Sequence, residues 1–204
     1  EIGRVRLSVP GMFSVYNALA AASCSLSLGL PFLKVVESLG QVKGVKGRAE
    51  VVPTGRDFTV VIDYAHTPDG LEKICSTLKE GSRGRLVTLF GCGGDRDRKK
   101  RPMMGAVAAS LSDFLVVTSD NPRSENPQRI IDEIIKGIPE EFTSFEVIPN
   151  RVEAINWAVA NARPDDIILL AGKGHETYQI LADGCIHLDE REVVADALNK
   201  STEE

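Results

Sequence analysis

The chain has 204 residues, with 24 Lys and Arg against 29 Asp and Glu and a formal net charge of −5, a balance that argues against a general binder of nucleic acid or anionic membrane. Its 43% hydrophobic and 26% charged residues are enough to bury a core, which excludes a disordered chain. No apolar run approaches the roughly 20 residues of a membrane span. Residues 1–30 lack the basic start, apolar stretch and cleavage site of a signal peptide. The cysteines Cys24, Cys75, Cys92 and Cys185 form no C-x-x-C pair, so a reduced, cytoplasmic chain is the plain expectation. The chain opens at Glu1 rather than at a methionine, as a fragment would.

In chain order, Asn17 to Leu28 is rich in Ala, Ser and Leu and predicts a close-packed helix ending near Gly29, and Pro31 to Leu39 predicts a second, short one. Gly40 to Arg48 carries glycines and basic residues with little apolar content, and reads as a linker with a domain boundary near Gly47. From there strands and helices alternate. Glu50 to Pro53, before Gly55, predicts an antiparallel edge hairpin with the buried strand Phe58 to Asp63. Thr67-Pro68-Asp69 opens a helix with Thr as cap and Pro in the first turn. Strand Leu86–Phe90, a helix from about Arg101 to Leu111 and strand Phe114–Thr118 follow. Asn126-Pro127 opens a helix with the apolar stripe Ile130, Ile131, Ile134 and Ile135. Phe145–Ile148 is a short strand, Asn150 caps a helix carrying Val152, Ile155 and Val159, and Ile167–Leu170 is a buried strand. Asp189-x-x-Glu192 resembles a capping box before the last helix, and the polar tail after Asn199 is expected to fray. The alternation predicts an α/β fold: an open, mostly parallel, Rossmann-like sheet with helices on both faces and an antiparallel edge hairpin, preceded by a helical segment.

Open parallel sheets bind ligands beyond the carboxyl ends of their strands. Four strand ends here run into polar or glycine-rich segments: Asp63-Tyr64-Ala65-His66, Gly91-Cys92-Gly93-Gly94-Asp95-Arg96, Ser119-Asp120-Asn121-Pro122-Arg123 and Ala171-Gly172-Lys173-Gly174-His175-Glu176. Right-handed winding brings these ends to one rim. Arg96 and Arg123 offer planar forks for carboxylate or phosphate, Asp120 and Glu176 accept from an ammonium, and Asn121 can do either. Gly93, Gly94, Gly172 and Gly174 permit close backbone approach. Opposite charges in one cleft suit a zwitterion such as an amino acid. In the run Arg96 to Arg101 only Arg96 is singled out, and the other charges are assigned to a solvated loop. Gly91 to Gly94 lacks the G-x-G-x-x-G spacing of a dinucleotide fingerprint, the three histidines have no zinc-ligand spacing, and His187 reads as structural. Asp63 could be only a helix-entry residue, and Asp120-Asn121-Pro122 only a turn. The residues by themselves therefore reach an amino-acid or phosphate site on a parallel sheet.

The order Asp63-Tyr64-Ala65-His66-Thr67-Pro68, Gly91 to Arg96, Asp120-Asn121-Pro122-Arg123 and Gly172-Lys173-Gly174-His175-Glu176 resembles the Mur ligases, and most of all their diaminopimelate-adding branch. The resemblance implies that residues 1–47 are the end of the central ATP-binding domain and residues 48–204 the carboxy-terminal, acceptor-amino-acid domain. It implies an ATP- and Mg²⁺-dependent amide ligase of peptidoglycan synthesis that joins meso-diaminopimelate to UDP-N-acetylmuramoyl-L-alanyl-D-glutamate through an acyl phosphate, working as a cytoplasmic monomer. Arg96, Asp120, Asn121, Arg123, Gly172 and Glu176 would hold diaminopimelate. Asn17, in Val15-Tyr16-Asn17-Ala18, would lie near adenine, Arg48 and Asp63 at the nucleotide and its ribose, and His66 on the same edge. Ser14 stands where relatives often have asparagine and is left out of the site. No G-x-x-x-x-G-K-[ST] phosphate loop occurs, so the resemblance puts the phosphoryl-transfer groups, the modified lysine and the metal ligands upstream and leaves the isolated chain inactive. Two other readings remain: a non-catalytic amino-acid-binding module, and the related region of a cyanophycin synthetase, against which Asp120 to Arg123 argues.

Overall fold

The computed structural model describes residues 2–7, 9 and 11–200, so the end of the expected polar tail, residues 201–204, lies outside the described residues. The chain divides into two compact units, Glu1–Val45 and Lys46–Glu204. The first is built on α1 (Met12–Ser27) and α2 (Phe32–Gln41), which pack together. Helix α1 starts ahead of the expected Asn17, because Gly11, at φ 96°, lets the chain turn into it there. It ends on Gly29, at φ 82°, with Leu30 N–H donating to Ser25 O at 3.1 Å. Helix α1 buries no residue, and Tyr16 and Leu19 are more than half exposed.

The second unit contains β1 (Glu50–Val52), β2 (Thr59–Asp63), α3 (Pro68–Gly81), β3 (Leu86–Phe90), α4 (Lys100–Leu111), β4 (Phe114–Val117), α5 (Pro127–Ile135), β5 (Phe145–Val147), α6 (Arg151–Ala160), β6 (Ile167–Ala171), β7 (Tyr178–Leu181), β8 (Gly184–His187) and α7 (Glu190–Lys200). The main sheet has the order β1-β2-β6-β3-β4-β5; β1 pairs antiparallel with β2, and all other pairings are parallel. This is the expected fold class. The expected caps form because each side chain reaches amide groups that the helix leaves unpaired. Thr67 accepts from Gly70 N, Asn126 from Gln128 N and Arg129 N, and Asn150 from Val152 N and Glu153 N.

Strand alternation divides the core. Val60, Ile62, Val87, Leu89, Val116, Ile168 and Leu170 pack with Ala154, Ile155, Ala158 and Val159 of α6 and Val194 and Ala197 of α7. The alternate positions face α3, α4 and α5, where Thr88 Oγ1 lies 3.8 Å from Cys75 Sγ and 2.7 Å from Ser112 Oγ. One sequence reading is corrected here and one element had been missed. Glu192 does not complete a capping box, since its carboxylate takes His187 Nε2 at 2.6 Å; Asp189 does cap, accepting from Arg191 N. The β7–β8 hairpin was not anticipated: Asp183-Gly184 was its turn signal, but its strands are short and β8 is exposed throughout, so it lacks a buried stripe.

The register levels the strand ends. Asp63 pairs with Ala171, Leu89 with Leu170 and Phe90 with Val117, so the segments after β2, β6, β3 and β4 leave the sheet side by side.

Candidate functional site

At the end of β2 the Asp63 carboxylate is buried and accepts two backbone bonds, from Ala49 N and Ala65 N, each at 2.8 Å. Burial raises its pKa above the ordinary carboxylate value, and the two amides work against that. Each oxygen keeps a lone pair for a further donor. Next in the chain, the Tyr64 ring sits under three cationic or titratable groups. Arg48 lies 5.0 Å from the ring centroid, His66 meets it edge-on at 4.8 Å and His175 lies 5.2 Å away. Arg48, Asp63 and His66 thus share one edge of the rim. Asn17 is exposed on α1, in the other compact unit.

The segments after β4 and β6 carry the zwitterion-like charges. Asp120 and Asn121 are buried, while Arg123 and Glu176 are half-buried. Asn121 Nδ2 donates to Glu176 Oε2 at 3.0 Å, and Asn121 Oδ1 accepts from Ile180 N and Lys173 Nζ, both at 3.0 Å. The Asn121 amide is therefore occupied in joining the two segments to β7. Arg123 has φ 52°, in the left-handed region, and its Nη1 donates to Gly94 O at 2.8 Å, so the guanidinium is aimed by the glycine-rich segment after β3. A Cβ on Gly94 would run into the Pro122 carbonyl, and one on Gly93 would come within 2.9 Å of Arg123 Nη1. These glycines accordingly serve contact between two protein segments. Gly172 differs: at φ 115° it faces the Asp120 carboxylate, 3.8 Å from where a Cβ would stand. Arg96 is exposed, with Nη1 on its neighbour's carbonyl, Asp95 O, at 3.0 Å.

Three buried cations under this rim escaped the sequence reading. Arg101, assigned there to a solvated loop, is fully buried. It donates to Glu125 and Glu133 and, at 3.3 Å, to Gly93 O, tying the segment after β3 to the one after β4. Arg151 donates to Ser119 O at 3.3 Å, Ala171 O at 2.9 Å and Glu190 Oε1 at 2.8 Å, tying β4 to β6. Lys173, between two positive-φ glycines, is also fully buried. Cys92, beside Gly93, is no nucleophile here, because burial pushes its thiol up to about 12. Among the described residues no group of three or more His, Cys, Asp or Glu is placed to hold a metal ion, and no helix is long and apolar enough to cross a membrane.

Glu125 gives this network a pH signature. The Arg101 guanidinium first, and then the Asp95 amide, hold its carboxyl down at about 2, against an ordinary 4.5. A depressed folded pKa adds stability that is present above pH 4.5 and is lost as pH falls toward 2. Glu125→Gln removes the titrating group, so the variant should be less stable than the parent at pH 7 yet lose less on acidification through that window. Denaturant midpoints taken at intervals from pH 7 to pH 2.5 check this, and equal acid slopes for the two proteins would rule it out.

Fold and rim together define an open α/β domain whose polar segments gather beyond the carboxyl ends of its parallel strands, where such sheets usually bind ligands. The chain belongs to the Mur ligase family: the family described as Mur ligase, glutamate ligase domain, matches residues 47–174. It is 55% identical over 197 residues to a UDP-N-acetylmuramoyl-L-alanyl-D-glutamate–2,6-diaminopimelate ligase of Caldanaerobacter subterraneus subsp. tengcongensis, covering 97% of this chain and 41% of that protein. To a ligase of the same name from Clostridium acetobutylicum it is 50% identical over 198 residues, covering 96% and 41%. Among solved structures, one of a UDP-N-acetylmuramoyl-L-alanyl-D-glutamate–2,6-diaminopimelate ligase is similar with TM-score 0.76 and 35% identity, over 97% of this chain and 40% of that one. A UDP-N-acetylmuramate–alanine ligase from Thermotoga maritima, at 22% identity and TM-score 0.69 over 98% of this chain and 40% of that one, shares the fold. The chain thus spans about 41% of the length of the curated relatives it matches.

Proposed function

We propose that this chain is the acceptor-amino-acid half of an ATP-dependent amide ligase that adds meso-diaminopimelate to UDP-N-acetylmuramoyl-L-alanyl-D-glutamate in the cytoplasm. The observation that carries the reading is the meeting of Asp120, Glu176 and Arg123 on one rim, two carboxylates and a guanidinium suited to the amine and carboxylate ends of one amino acid. The relatives' names support the choice of diaminopimelate. In this reading Asp120 and Glu176 take an ammonium, and Arg123 with Arg96 takes a carboxylate, beside the Gly172 backbone. The free amine at the other end then attacks the activated glutamate carboxyl, forming the amide as phosphate leaves and the amine loses its proton. Bound ATP, with Mg²⁺, supplies the phosphoryl group that activates that carboxyl. Arg48, Asp63 and His66 form the nucleotide edge of this domain: a guanidinium for phosphate charge, a carboxylate with open lone pairs for a ribose hydroxyl and an imidazole beside it. In the same reading α1 and α2 are the carboxy-terminal end of the central domain, and Asn17 is that domain's own residue for adenine. The unburied apolar residues of α1, such as Tyr16 and Leu19, are those the remainder of that domain covers.

The test uses the full-length protein with ATP, Mg²⁺ and the UDP-linked dipeptide, supplied with meso-diaminopimelate, L-lysine or no amino acid. Phosphate release and a product mass increase are expected with diaminopimelate and far less with lysine. Equal or greater use of lysine, or release that needs no amino acid, would overturn the assignment.

A further inference from the structure

Lys173 is the least expected member of the rim, because a lysine between two glycines reads as a mobile, solvated turn. Its side chain is fully buried, and its ammonium has a complete set of acceptors. Nζ donates to Tyr178 O at 2.7 Å, Asn121 Oδ1 at 3.0 Å and Glu176 Oε2 at 3.2 Å. Asp120 Oδ1, which has no hydrogen bond of its own, stands 3.4 Å from the same nitrogen. An ammonium has three hydrogens, and all three are used within the protein. Lys173 therefore has no donor left for a ligand, yet it touches both carboxylates of the proposed ammonium subsite. It draws Glu176 Oε2 and Asp120 Oδ1 inward, which leaves Glu176 Oε1 and Asp120 Oδ2 as the acceptors not engaged with it. It also lowers the charge of the cluster, since two carboxylates and one ammonium sum to a single negative charge.

We propose that Lys173 is a positioning residue for amino-acid selection, a buried cation that orients Glu176 and Asp120 and keeps their combined charge matched to a zwitterion rather than to a more cationic amino acid. This rests on the functional reading above. Diaminopimelate carries two ammonium and two carboxylate groups, whereas lysine lacks the second carboxylate and is more positive by one. With Lys173 neutralised the subsite becomes more negative by one and its carboxylates lose their anchor. Binding of diaminopimelate should weaken, and preference should move toward lysine.

The experiment compares Lys173→Met, Glu176→Gln and the double variant in the full-length protein, measuring KM for diaminopimelate, lysine and ATP separately. Lys173→Met should raise KM for diaminopimelate by about tenfold or more, the scale of a charged hydrogen bond, with KM for ATP little changed and the ratio of diaminopimelate to lysine use lowered. Because Lys173 acts in part through Glu176, adding Lys173→Met to Glu176→Gln should raise KM for diaminopimelate less than adding it to the parent does, the remainder being its hold on Asp120. Lys173→Met by itself leaves two carboxylates without their shared cation and can fail to fold, but the double variant restores the parent's net charge in the cluster, so its comparison with Glu176→Gln decides the matter in that case. A full tenfold loss on the Glu176→Gln background, or a parallel rise in KM for ATP, would overturn the role of Lys173. Parent protein that ligates no diaminopimelate would instead overturn the functional reading and this inference with it.

Discussion

Replacing Arg151 with methionine should cost about 3–5 kcal/mol of folding stability, the scale on which breaking one side of a buried ion pair acts. Arg151 and Glu190 are both fully buried and paired through Glu190 Oε1 at 2.7–2.8 Å, while Glu190 Oε2 has no hydrogen-bond partner. The variant strands that carboxylate and removes the donor from the Ser119 and Ala171 carbonyls. For a domain of this size the melting temperature should fall by roughly 6–20 °C. Arg151→Met/Glu190→Leu removes both charges and should recover much of the loss, since a buried pair gains little over a packed apolar one. It should not recover ligation, because Ser119 and Ala171 directly precede Asp120 and Gly172 and would still lack their common tie. Denaturant unfolding of the variants, with ligation measured alongside, separates the two effects. A loss under about 1 kcal/mol for Arg151→Met would mean the pair contributes no more than a surface bridge.

Arg123→Ala should weaken diaminopimelate binding by about 1.5–3 kcal/mol, or roughly 10- to 150-fold, the range of a bidentate charged contact. The structure sharpens this expectation. Nη1 is held by Gly94 O, and among the described residues Nε and Nη2 have no protein partner, so the fork is aimed and still has donors for a ligand carboxylate. Alanine keeps a Cβ at the same left-handed backbone position, so the change removes the fork without altering backbone strain. Arg123→Lys should rescue poorly, because a point-like ammonium cannot hold Gly94 O and a carboxylate in one plane. The separate apparent constants for diaminopimelate, lysine and ATP decide it in the full-length protein. Diaminopimelate should lose its advantage over lysine while ATP is little affected, and an unchanged diaminopimelate constant would return Asp120 to Arg123 to the status of a turn.

The parts of this architecture that were legible in the sequence are those controlled by near neighbours. Thr67, Asn126 and Asn150 cap the helices they precede because a cap bonds two or three residues ahead. Strands β2, β3 and β6 were visible as apolar runs because both of their faces are covered. The four rim segments followed from the ends of those strands. By contrast, nothing within Arg96 to Arg101 marks the last of six charges as buried. Its acceptors, Glu125 and Glu133, arrive from α5 and the segment before it, more than twenty residues on.

Sequence alone therefore determined the alternation of strand and helix, which strand ends carry the polar segments and the residue types they present. The tertiary structure decided which charges stay open at the rim and which are consumed beneath it. Asn121 and Lys173 stand in the same motifs as Arg123 and Glu176, but the hairpin supplies Ile180 N and Tyr178 O, which turn the amide and the ammonium toward the protein. That difference has a physical cause. A cap or an apolar stripe is satisfied locally, whereas a buried charge is tolerable only if distant segments bring its partners within about 3 Å, and that is settled when the sheet assembles.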